Sequence, residues 1–170
     1  MFKKLTILSL IVILNSCAIL QTEKRSAVSV IRAIDSGKSM GHVTFTEIDG
    51  MKVKVEINLS NMKGTHAIHV HEHGDLRHHE VRKKGGYFRP HSAHGEEEGR
   101  ESHVGDLGDI TANKKGLVNK VIIDDHLSLR RKHSIIGRSV IIHKNTDEKI
   151  LHSGKTGKRV AAGVIGFAAE

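Results

Sequence analysis

The chain has one cysteine, one proline, one tyrosine, four phenylalanines and no tryptophan in 170 residues. A single thiol rules out an intramolecular disulfide. With aromatics at 3%, a core must be filled by Val, Ile and Leu, and little remains for stacking on bases. The charge balance is +8, which can favour nucleic acid, anionic membranes or small anions. The basic residues are spread along the chain among acids, so no nucleic-acid partner is expected. Beyond the N-terminus no stretch of ten or more residues sustains a helical period, and this excludes a helical bundle.

The N-terminus reads as an export signal. Lys3 and Lys4 precede the apolar run from Leu5 to Leu14, which is too short to span a membrane comfortably. Leu14-Asn15-Ser16-Cys17 looks like a bacterial lipoprotein processing site. On that reading residues 1–16 are a signal peptide and Cys17 is lipidated. Residues 17–26 then form a tether, and 27–170 the folded domain. The protein would face the periplasm or the outside from the bacterial cell envelope, anchored at Cys17. Several acyl chains make such anchoring stable. Ala18 gives no obvious signal for retention at the inner membrane.

The remainder alternates like short strands. Val43 to Glu47 leads into Asp49-Gly50, a hairpin signal, and Met51, Val53, Val55, Ile57 and Leu59 then alternate with polar residues. Asn61 to Gly64 turns the chain into a strand around His69. Further strands are expected at 117–123, 139–143 and 163–168. The pattern predicts an all-β protein, an antiparallel sandwich or barrel. His73 to Asp109 stands apart, long and rich in Gly, His and charge, with the only proline, Pro90. A loop of that length needs something to order it, and a metal would serve.

Within the His69 strand, period two puts His69 and His71 on one face and Ile68 and Val70 on the other. Two imidazoles about 7 Å apart on a stiff ribbon can close on one metal. The alternative is a pair of solvent-facing histidines. His73, His78 and His79 read as surface residues or as a metal-capture patch, and His126, His133 and His152 as surface residues.

The order of several blocks carries a resemblance. They are Gly64-Thr-His-Ala-Ile-His-Val-His-Glu-His-Gly-Asp75, Gly86-Tyr-Phe-Arg-Pro90, His94-Gly95 and His103-Val-Gly-Asp-Leu-Gly108. Ser134 to His143, Asp147 and Gly157 to Gly166 follow. From about Ala27 onward the chain resembles the copper-zinc superoxide dismutase family. The resemblance implies an eight-stranded antiparallel Greek-key β-barrel with two long metal-binding loops, copper and zinc as cofactors, and superoxide as substrate. It makes His69, His71 and His143 copper ligands, and His94, His103 and Asp106 zinc ligands. Asp147 would link the two sites, and Arg159 would be the active-site cation that draws in and orients an anion. A homodimer is a further possibility on this reading.

Three departures from the family accompany the match. Tyr87 stands where the family has a histidine shared between the metals, and a phenol cannot present two opposed nitrogens. Tyr87, His91 or water could complete the zinc set. The family's disulfide is missing, with Ala162 at one of its positions, and the stretch from His143 to Arg159 is short. The expected function is disproportionation of superoxide to oxygen and hydrogen peroxide at reduced activity. The alternative is a non-catalytic copper- and zinc-binding envelope protein on the same scaffold.

Overall fold

The computed structural model describes residues 25–48, 52–77, 88, 104–130, 133–146 and 157–169. Its eight strands are β1 (Ser26–Ala33), β2 (Ser39–Ile48), β3 (Lys52–Leu59), β4 (Thr65–His71), β5 (Asp106–Thr111), β6 (Val118–Asp124), β7 (Ser139–His143) and β8 (Arg159–Phe167). They form one sheet in the order β5-β4-β7-β8-β1-β2-β3-β6, antiparallel at every pairing. The sheet curls into a nearly closed barrel whose connections cross as in a Greek key. β5 and β6 are its two edges. The Lys120 ammonium of β6 spans the seam, donating to Leu107 O at 3.3 Å and Asp109 O at 2.8 Å on β5.

Alternation explains the central strands. Val53, Val55, Ile57 and Leu59 of β3 are buried, and Val43 and Phe45 of β2 join them. The expected hairpin is bracketed by the Ile48↔Lys52 pair; Asp49 and Gly50 themselves lie outside the described residues. Aliphatic side chains fill most of the core, with Ile31, Ile68, Ile110, Ile142 and Ile165 all essentially inaccessible. Gly41 of β2 is at φ 125°, and a Cβ there would lie 2.2 Å from Asn58 O. Only glycine lets β2 and β3 approach this closely. The buried Glu47 carboxylate accepts from Arg130 Nε at 2.6 Å, tying β2 to the segment after β6.

Two elements depart from the pattern-based expectation. β5 emerges inside the stretch read as loop up to Asp109, because Asp106-Leu-Gly-Asp-Ile-Thr111 lacks alternation and carries Gly108 at φ 72°. β8 starts at Arg159 rather than 163, because the small Ala161, Ala162 and Gly163 hide its period. β7 spans Ser139–His143 as expected.

Candidate metal centre

β4 and β7 pair in the register His69↔Ile141 and His71↔Ser139. Paired residues project to the same side of a sheet, so this register puts His143, two residues past Ile141, on the face of His69 and His71. All three are buried, at 2%, 2% and 0% exposure. Their ring centroids lie 6.4 Å (His69–His71), 5.1 Å (His69–His143) and 5.4 Å (His71–His143) apart. One nitrogen from each ring falls within 4.8 Å of the others, a spacing that fits a single ion. Three neutral imidazoles suit copper in both its oxidation states. The sheet register thus converts an odd-even pattern on one strand and a lone histidine on another into a three-nitrogen cluster.

Hydrogen bonding fixes the rings. Arg159, paired with His143 in the β7–β8 register, places Nη2 3.5 Å from His71 Nδ1. His71 Nε2 faces His143 Nε2 at 3.2 Å. His143 Nδ1 in turn lies 3.4 Å from Gly157 O. The candidate zinc ligand Asp106, at the start of β5, has Oδ1 3.8 Å from His69 Nε2 and accepts from Gly108 N at 2.7 Å. The structure therefore brings His69, His71, His143, Arg159 and Asp106 to one end of the β4–β7 face. His94, His103, Asp147, Tyr87, His91 and Cys17 lie outside the described residues. His73 is exposed beside Glu72, and His126 is a surface residue on Asp125.

Two contributors carried no assigned role in the sequence reading. His66 on β4 sits with Nδ1 2.8 Å from His143 O and Nε2 2.8 Å from Lys63 O. These two contacts tie the turn before β4 to the backbone of a candidate copper ligand. Phe88 is held between Val70 and Gly105: Val70 N donates to Gly105 O, Phe88 N to Val70 O, and Gly105 N to Phe88 O, at 2.7, 3.0 and 3.2 Å. The signal for His66 was its place two residues after Gly64 in the matching block. For Phe88 there was none beyond adjacency to Tyr87.

Comparison with known proteins agrees with this geometry. The copper/zinc superoxide dismutase (SODC) family profile matches residues 39–165. A Cu-Zn superoxide dismutase of Paramecium bursaria Chlorella virus 1 is 36% identical over 166 residues, covering 92% of this chain and 86% of its own. An extracellular Cu-Zn superoxide dismutase of Drosophila melanogaster is 37% identical over 145 residues, 78% of each chain. One from Haemonchus contortus, also extracellular, is 35% identical over 150 residues, 81% of each. The chain belongs to the copper/zinc superoxide dismutase family, and its cofactors are accordingly copper and zinc.

Proposed function

We propose that this protein disproportionates superoxide, with His69, His71 and His143 holding copper and Asp106 holding zinc together with His94 and His103. The observation that carries the reading is the buried three-histidine cluster with its nitrogens inside 4.8 Å. One superoxide gives up an electron and leaves as O2; a second takes that electron and two protons and leaves as H2O2. Copper, when bound, supplies the one-electron couple between the two encounters. The chain's own groups do the rest. Arg159, against His71, offers a fixed cation to the incoming anion, and the +8 net charge favours its approach. Asp147 would connect the two ligand sets by hydrogen bonding.

Tyr87 sets the expected activity. A phenol has an ordinary pKa near 10 and cannot link two metals as an imidazolate does. Protons then come from water, and turnover is reduced rather than abolished. Tyr87 or His91 is the candidate for an additional zinc ligand. The same substitution favours the second reading, a copper- and zinc-binding protein without catalysis. Export and membrane attachment through Cys17 rest on the Leu5–Leu14 run and the Leu14-Asn15-Ser16-Cys17 site, and the extracellular relatives support export.

The test is a superoxide-consumption assay on copper- and zinc-loaded protein recovered from membrane and soluble fractions. Wild type should be active in the membrane fraction, His69→Ala inactive, and Cys17→Ser active but soluble. Equal activity in wild type and His69→Ala rejects the site. Metal uptake without superoxide consumption selects the second reading, and unchanged partition of Cys17→Ser rejects the anchor.

A further inference from the structure

We infer that Arg138 is a positioning residue for the copper site, its guanidinium fastening together the segments that flank the candidate ligands. Arg138 lies one residue before β7. Its Nη1 donates to Glu72 O at 2.8 Å, the carbonyl next to His71. Its Nε donates to Ser134 O at 2.9 Å, anchoring the approach to β7. Its guanidinium carbon stands 3.6 Å from the centroid of the Phe88 ring. Phe88 is in turn bonded to Val70, the residue between His69 and His71, and to Gly105, the residue before Asp106. The carbonyl of Arg138 accepts from Ile165 N at 2.9 Å, so the hub is also fixed to β8. One planar cation thus meets the exit of β4, the neighbour of Tyr87, the turn into β7 and, through its backbone, β8.

The chain has no disulfide to do this work, since Cys17 is its only cysteine. Neighbouring contacts support the same junction. Ser139 Oγ donates to His73 O at 2.7 Å, and a Cβ on Gly74 would lie 2.1 Å from Gly137 O. These contacts seat residues 73 and 74, whereas Arg138 reaches both Glu72 and Phe88. Burial pulls the guanidinium below its ordinary pKa while the Glu72 carboxylate acts the other way. A guanidinium stays charged throughout the accessible range. Lysine cannot replace it: an ammonium lacks the rigid fork that donates in two directions while stacking on a ring. Loss of groups that orient metal ligands typically weakens metal affinity about 10–100-fold.

The experiment compares copper- and zinc-loaded wild type with Arg138→Lys, Arg138→Gln and Phe88→Leu, reading the Cu(II) electron paramagnetic resonance spectrum and copper affinity by chelator competition. All three variants should shift the spectrum in the same direction, and the Arg138 variants should bind copper at least about tenfold more weakly. Wild-type spectrum and affinity in the variants, with only the melting temperature lowered, overturn the inference. It rests on the copper reading of the three histidines, so backbone amide exchange supplies a readout independent of metal. Arg138→Lys should exchange faster at Glu72 to Leu76 and at Phe88, and unchanged exchange there overturns the clamp. A wild type that takes up no copper sinks the metal reading instead. Should neither Arg138 variant fold, Phe88→Leu decides by the same spectrum.

Discussion

His66 shows how much a single ring can do when both of its nitrogens are used. It joins Lys63 O in the turn to His143 O across the β4–β7 boundary. Neither bond is deeply buried, so each contributes at the modest end of the usual range. Replacing His66 by Ala should cost about 1–2 kcal/mol, seen as a lower urea midpoint. His66→Gln should recover part of this, because its one amide nitrogen can stand in for only one of the two ring nitrogens. An unchanged midpoint for the alanine variant would mean that the two carbonyls find water without loss. At this scale the sequence was partly legible. His69 and His71 announced themselves through period two, since strand geometry sends alternate side chains to one face. His66 and Arg138 did not, because their partners are backbone carbonyls of distant residues, and a carbonyl has no signature in a sequence.

Strands are where pattern and packing part company. β3 and β7 match the spans read from alternation or from a compact apolar run, because every second residue faces a core or the whole strand is covered. β6 does not follow the simple rule. Val121 and Ile123 are largely exposed, while Lys120 turns toward the seam. An edge strand beside a gap is under different demands: its open side needs donors for the carbonyls of β5. Lys120→Met keeps the stem and removes the donors. It should destabilise by about 1–2 kcal/mol and speed amide exchange across Leu107 to Ile110, leaving β2 and β3 unaffected. Equal acceleration in all strands would show instead that the seam is no separate unit. Because β5 begins with Asp106, loosening it reaches the candidate zinc set directly.

Across the whole molecule the remaining feature is an apolar face that is exposed among the described residues. Val30 of β1 and Val164 of β8 are each close to half exposed on adjoining strands. Both line a cleft of about 370 Å³ together with Leu76, and Arg159 stands among the cleft's residues. The homodimer that the family resemblance implies would be centred on this face, with a second copy supplying apolar side chains to the cleft. Light scattering should give twice the chain mass for wild type and the single-chain mass for Val164→Lys, with little change in melting temperature. A wild type that is already monomeric removes the proposal.

What the sequence determined by itself was local or periodic: the strands with clean alternation, the absence of a disulfide, the histidine pair on one ribbon, and the order of blocks that placed the chain in its family. Those features survive as text because strand geometry repeats every two residues and because a motif keeps its residues adjacent. Only the tertiary structure decided that His143 and Arg159 stand against that pair, that Asp106 approaches within 3.8 Å of His69, and that Arg138 gathers the segments around them. Those relations depend on sheet register and barrel closure. Both are set by burying side chains from all eight strands at once, which no single stretch of the chain encodes.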